Sequence, residues 1–197
     1  MIDFLLGIDE KILFLFNGYH TVFLDTVFMW VTQKYSWVPF YAVLVAVLFH
    51  KCGWRASLCL LIGIALAITL SDQLCAHVLR PLVYRLRPSN PMNPISEFIT
   101  IVNGYRSGMY GFPSCHAANT IALATFISLV MSKRVWTILM ITWALVVSAS
   151  RMYLGVHYPS DILVGAMIGC AMGWLSHLII VKIMSYKRFS HAFTYNY

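Results

Sequence analysis

Long apolar runs broken by short polar stretches dominate the chain. The clearest covers residues 54–79, where LCLLIGIALAITL runs uninterrupted until Ser71 and Asp72 restore polarity. Similar runs cover 35–50, 117–132, 135–149 and 161–181. A helix needs about 20 mostly apolar residues to cross a bilayer, so the shorter runs must borrow flanking residues. Pro39, near one end of its run, is tolerable there. Upstream, Leu5, Ile8, Ile12 and Leu15 recur at three- and four-residue steps, with Asp9 and Lys11 between them. This spacing predicts an amphipathic helix lying in the membrane interface. Residues 20–33 are interrupted by Asp25, Thr32 and Gln33, which predicts a second shallow helix. The expected fold is an all-α integral-membrane bundle of about five to six transmembrane helices with an N-terminal interfacial amphipathic helix. No repeat or linker divides it. A single domain is expected over 1–197: interfacial helices over 1–33, the transmembrane bundle over 35–184 and a cytoplasmic tail over 185–197.

Composition reinforces this picture. Of 197 residues, 60% are hydrophobic and 11% charged, and the mean hydropathy is +0.75. A soluble domain is roughly 45–50% apolar and about 25% charged. Lipid is the fitting solvent, which excludes a cytosolic enzyme, a disordered chain and a disulfide-stapled secreted module. The 14 Lys and Arg against 7 Asp and Glu invite a nucleic-acid reading. Here, however, the basic residues sit singly or in pairs at the ends of apolar runs, as they do on the cytoplasmic side of membrane proteins, and no nucleic-acid partner is expected. Loops at 51–55 and 133–134 and the tail from Lys182 carry Lys51, Arg55, Lys133, Arg134, Lys182, Lys187 and Arg188. That side is expected to be cytoplasmic, with 80–116 outside and the first 33 residues in the outer interface. Residues 1–17 lack the basic start of a cleavable signal. Five cysteines show no CxxC pair and no metal-ligand spacing, so they read as small buried thiols, Cys115 aside.

Polar chemistry gathers at the outer ends of the runs. Arg80 and Arg87 are two helical turns apart, which predicts one shared helix face, and Pro88 follows. Pro113, Ser114, Cys115 and His116 precede the run at 117–132. Ser150 and Arg151 are followed by His157 and Asp161, whose four-residue spacing permits an imidazole–carboxylate hydrogen bond on a helix. The topology brings these three ends to one face. Planar guanidiniums suit phosphate through paired hydrogen bonds. Two imidazoles can divide the work of nucleophile and proton donor. Ionisable groups at membrane depth are costly and mark function. His20, His50, His177 and His191 match nothing and read as interfacial or tail residues; His77 lies nearer the cluster. Asp72 reads as a structural polar contact. Arg85, off the Arg80–Arg87 face, reads as a headgroup contact. Tyr105, Arg106 and Tyr110 line an entrance or anchor the interface.

Taken together, Arg80-x6-Arg87-Pro88, Pro113-Ser114-x-His116 and Ser150-Arg151-x5-His157-x3-Asp161 resemble the three-part signature of the type 2 phosphatidic acid phosphatase superfamily. The resemblance runs from about Ser71 to Gly173; each piece alone would be weak. It implies a helical membrane phosphatase in which His157 is the nucleophile, forming a phosphohistidine, and Asp161 orients it. His116 would be the general acid, then the base for water. Arg80, Arg87, Arg151, Ser114 and the backbone N–H of Cys115 would hold the phosphoryl oxygens. No metal or other cofactor is implied, because guanidiniums take the metal's place. Two positions depart from the family pattern. Arg80 stands where Lys is usual, keeping the charge. Cys115 stands where Gly is usual, and a β-carbon there is expected to strain a left-handed backbone. A cysteine nucleophile lacks support, since the Cys-x5-Arg loop of cysteine phosphatases is missing.

The function implied is hydrolysis of a lipid phosphomonoester or pyrophosphate at the periplasmic face of a bacterial cytoplasmic (inner) membrane. Undecaprenyl pyrophosphate is favoured, lipid A phosphate is a close second, and phosphatidylglycerol phosphate and phosphatidic acid stay open. The expected partners are that lipid substrate and membrane lipids; the sequence does not fix an oligomeric state. An anion or lipid-phosphate transporter is the first alternative, weakened because the charges sit at one rim and not at the midplane. A catalytically silent lipid-binding protein is the second, weakened by intact His116, His157 and Asp161.

Overall fold

A computed structural model describes residues 2–186 of the chain, with side chains from Leu6 onward. The expected tail, with Lys187, Arg188 and His191, lies outside the described residues. The chain runs through α1 (Ile2–Asn17), α2 (Val22–Thr32), α3 (Val38–Gln73), α4 (Arg80–Val83), α5 (Cys115–Met131), α6 (Arg134–Tyr153) and α7 (Pro159–Ser185). Helices α1 and α2 meet at a bend of 115°. A wider π turn, Leu74–Leu79, joins α3 to α4. Between α4 and α5 the chain is a loop with two short 3-10 turns, Pro94–Phe98 and Val102–Gly104.

Helix α3 is interrupted at Gly53, whose backbone (φ 73°, ψ 165°) a residue without a β-carbon reaches readily. The expected runs 35–50 and 54–79 therefore lie on either side of this break, and the polar loop expected at 51–55 shrinks to one residue flanked by exposed Lys51, Trp54 and Arg55. By length and composition three helical stretches among the described residues can cross a membrane: Lys34–Val83, Arg134–Tyr153 and Pro159–Ser185. The bent α1–α2 pair makes a fourth if it counts as one span, and α5 is apolar but only 17 residues long. The sequence count of five to six treated the two halves of 34–83 separately and included α5, so it differs only in how the Gly53 break and the short α5 are counted.

Helix α5 is the axis of the molecule. Its Ala117, Ala118, Ala122, Ala124, Phe126 and Ile127 are fully buried, and it packs against α3, α6 and α7. On the facing side α7 places Gly165, Gly169 and Gly173 at four-residue steps. A β-carbon on each would come within 2.5, 2.3 and 2.5 Å of the carbonyl oxygens of Ser114, Ala118 and Ala122. In lipid there is little hydrophobic drive between helices, so close backbone approach across small residues is what holds such a pair. Trp143 of α6 clamps the start of α3, with ring centroids 5.7 Å from Trp37, 5.0 Å from Phe40 and 6.1 Å from Tyr41. Large apolar side chains instead face outward on α6 (Leu139, Leu145) and α7 (Leu163, Met167, Trp174), the surface a lipid-embedded bundle presents. Helix α1 follows the same rule: Ile8, Ile12 and Leu15 are exposed, while Asp9, Leu13 and Asn17 turn inward.

Candidate active site

The first turn of α7 builds one half of the site. Pro159 starts the helix without an N–H to satisfy. Asp161, two residues on, accepts the Tyr158 N–H at 3.0 Å through Oδ2. The same oxygen lies 3.3 Å from Nδ1 of His157. His157 therefore sits just before the helix, and its contact with Asp161 crosses the helix cap instead of running along one helical face, as the spacing had suggested. The imidazole is 1% exposed. Its other nitrogen, Nε2, is 2.6 Å from Nη1 of Arg87. A guanidinium only donates, so Nε2 is the acceptor and Nδ1 carries the proton held by Asp161. Burial pushes His157 well below the ordinary histidine range, with Arg87, Arg151 and Arg80 adding to the effect. The ring is thus neutral at pH 7.

The arginines arrive by different routes. Tyr84 (φ 51°) ends α4 in the left-handed region, so Arg80 and Arg87 are not on one helix as expected. Arg87 instead comes from an extended stretch whose N–H reaches the Met109 carbonyl at 3.0 Å, beside a bridge between Leu86 and Tyr110. Its Nη1 also donates to the Val156 carbonyl at 2.9 Å. Burial, then the neighbouring Arg151 and Arg80, lowers its pKa to about 10, which leaves it charged. Arg80 donates to the Pro113 carbonyl at 3.3 Å and to Sγ of Cys115 at 2.9 Å. Arg151, fully buried at the end of α6, donates to Thr32 and, at 3.0 Å, to the Tyr105 hydroxyl. In each of the three, the buried Nε–H finds no acceptor among the described residues. An unmet buried donor is costly, and three of them fall in this one cluster.

Helix α5 supplies the other half. Ser114 is its N-cap: Oγ accepts the Ala117 N–H at 3.4 Å, and its own N–H donates to the Asp161 carbonyl at 2.9 Å. Cys115 is the first helical residue and is absent from the positive-φ positions, which outside glycine are Tyr84, Asn103 and Ser132. The strain expected from its β-carbon is therefore not present. Helix geometry itself aims the free N–H groups and positive dipole end of α5 outward from its start. His116 is half-buried, and the guanidiniums of Arg151, Arg87 and Arg80 act on its ring. All eight expected residues thus converge on the joined ends of α5, α6 and α7 and the stretch after α4.

Sequence reasoning misplaced one residue and missed others. Arg85 is not a headgroup contact. It donates to Oδ1 of Asp161 at 3.0 Å and to Ser160 at 2.6 Å, pairs with Asp9, and lies 3.8 Å over the Tyr158 ring. Because α4 ends at Tyr84, Arg85 does not lie on a helix with Arg80 and is free to turn toward Asp161. Gly111 gave no signal, yet a β-carbon there would stand 3.1 Å from Oδ2 of Asp161 and 3.5 Å from Nδ1 of His157. Thr32 appeared only as a polar interruption of an apolar run. Tyr105, expected at an entrance or in the interface, is instead the acceptor for Arg151. Asp72 makes the structural contact expected, accepting from Asn119 at 3.1 Å, and His77 is exposed.

The profile of the PAP2 superfamily matches residues 56–185. The lipid A 4'-phosphatase of Bacteroides thetaiotaomicron is 48% identical over 183 residues, 93% of this chain and 81% of that protein. The undecaprenyl-diphosphatase of Sulfolobus acidocaldarius is 32% identical over 148 residues, 75% of this chain and 64% of that one. A crystal structure of a PAP2-type phosphatidylglycerolphosphate phosphatase from Bacillus subtilis superposes with a TM-score of 0.67 at 22% identity, covering 92% of this chain and 89% of that one.

Proposed function

The chain belongs to the PAP2 superfamily, and from that premise we propose that it hydrolyses a phosphate ester of a membrane lipid through a phosphohistidine on His157. The observation that carries this is the pairing of a neutral imidazole, Nδ1 on Asp161 and Nε2 turned to Arg87, with three guanidiniums whose Nε–H groups are unmet. A phosphoryl group entering the cluster takes these donors on its non-bridging oxygens. Arg87 shifts from Nε2 to a phosphoryl oxygen, and the freed lone pair attacks phosphorus. The bond from phosphorus to the lipid oxygen breaks, and that oxygen takes a proton from the His116 imidazolium. In the second step neutral His116 removes a proton from water, the hydroxide attacks the phosphohistidine, the P–N bond breaks and inorganic phosphate leaves. The guanidiniums and the start of α5 carry the charge of both transition states, and the reaction runs without a metal.

Lipid A is the substrate best supported. The 48% identical Bacteroides thetaiotaomicron relative is named for its 4'-phosphate, and this reverses the order favoured by the sequence alone. Undecaprenyl pyrophosphate is the second reading, favoured by the relative from Sulfolobus acidocaldarius. We take the site to face the periplasm from the inner membrane, on the side opposite the basic loops at 51–55 and 133–134. The test is phosphate release in detergent from lipid A, undecaprenyl pyrophosphate, phosphatidylglycerol phosphate and phosphatidic acid. Lipid A is expected to turn over fastest, with no turnover in His157→Ala. Equal turnover of wild type and His157→Ala overturns the mechanism; a faster pyrophosphate reaction overturns the choice of substrate.

A further inference from the structure

One polar network lies directly behind the phosphoryl cluster. It joins the N-terminal helix to the carboxylate behind the nucleophile. Asp9 of α1 is 6% exposed, and its Oδ1 accepts the Ser160 N–H at 2.8 Å. That N–H belongs to the first turn of α7 and has no partner within its helix, so α1 caps α7 from outside. The second oxygen of Asp9 meets both the Ser160 hydroxyl and Nη2 of Arg85. Arg85 then reaches Oδ1 of Asp161 with Nη1, its plane held by the Tyr158 ring. Asp161 is consequently tied at both oxygens: Oδ2 to His157 and the Tyr158 N–H, Oδ1 to Arg85.

We propose that Arg85 and Asp9 are positioning residues for the reaction, and that α1 is thereby part of the machinery that aims Nε2 of His157 at phosphorus. This rests on the phosphohistidine reading above. Without Arg85, two carboxylates face each other across Ser160 with no cation between them, and Asp161 is free to turn about its Cβ–Cγ bond. Without Asp9, Arg85 keeps a single anionic partner and draws Oδ1 of Asp161 toward itself. Either change tilts the imidazole that Oδ2 holds, and a small error in the line of attack is expensive in rate. A lysine cannot serve, because its ammonium is a point charge and not a fork that spans two carboxylates.

The test uses the full chain purified in detergent, with lipid A carrying ³²P at its 4'-phosphate as the probe. Arg85→Gln and Asp9→Asn are expected to lower kcat by about 10- to 100-fold, up to the loss a small misplacement of a reacting group brings, with KM within about twofold. Arg85→Lys is expected to rescue little. The double variant is expected to be no slower than Arg85→Gln alone, since both act through one network. Lys11→Gln, on the exposed side of the same helix, is expected to leave kcat unchanged. Wild-type kcat in Arg85→Gln and Asp9→Asn overturns the proposal while leaving the phosphatase reading intact. So does a defect confined to KM, or a lower yield of folded protein whose kcat is normal. A wild-type chain that turns over none of lipid A, undecaprenyl pyrophosphate, phosphatidylglycerol phosphate and phosphatidic acid overturns both.

Discussion

At the scale of single residues, the two histidines are separable because the proposed reaction bonds only His157 to phosphorus. His157→Ala is expected to abolish the acid-labile ³²P phosphoenzyme together with turnover. His116→Ala is expected to slow lipid hydrolysis by roughly 10²–10⁴-fold, the usual worth of general acid–base catalysis. The defect should shrink with an aryl phosphate, whose leaving group needs no proton; equal defects on both substrates would remove His116 from that role. Cys115→Gly is expected to retain the label, because the thiol sits at a helix start as an acceptor for Arg80. Label lost in Cys115→Gly but kept in His157→Ala would make the thiol the nucleophile. The pH dependence follows from the environment of His157. A lowered pKa keeps the imidazole in its basic, attacking form at lower pH, so the limb it contributes to kcat/KM moves to the acid side of about 6.5. Phosphoenzyme formation that halves near pH 6.5 would contradict this. These chemical residues were legible in the sequence because each motif carries its chemistry within a few positions. Arg85 and Gly111 were not, since what matters in them is distance to Asp161 across a chain reversal that no spacing records.

Helices were legible in proportion to their apolar length. The runs at 135–149 and 161–181 became α6 and α7 with a few residues added at either end. Joins were harder. Gly53 looks in sequence like any glycine near a basic loop, and Tyr84, an aromatic that rarely takes positive φ, ended a helix that Arg80 and Arg87 were expected to share. The glycines of α7 also escaped notice, because their role is the absence of a side chain opposite α5. Gly169→Leu is therefore expected to do more harm than its lipid setting suggests. Its first atom would already stand 2.3 Å from the Ala118 carbonyl oxygen, and overpacking of this kind costs typically about 1–3 kcal/mol. A lower thermal midpoint in detergent is the readout; an unchanged midpoint would mean that α5 and α7 do not rely on this contact.

For the whole molecule, orientation is the open physical variable, because a bundle with its site at one rim works from one side only. Single cysteines introduced into a background lacking the native ones, labelled with an impermeant reagent on intact cells, are expected to react at 89–111 and to stay silent at Lys133–Arg134. The reverse pattern places the site in the cytoplasm. Turnover is likewise expected to survive excess EDTA, and loss that Mg²⁺ restores would replace guanidinium catalysis with metal catalysis. The main-chain contact between α5 and α7 carries a last consequence. It sets the separation of His116 from His157 through peptide groups, so that substitutions away from the α7 glycines leave that separation in place. The outward-facing side chains of α6 and α7 are then free to drift with the lipids around them, and descendants of this chain can exchange one lipid tail for another without re-inventing the reaction.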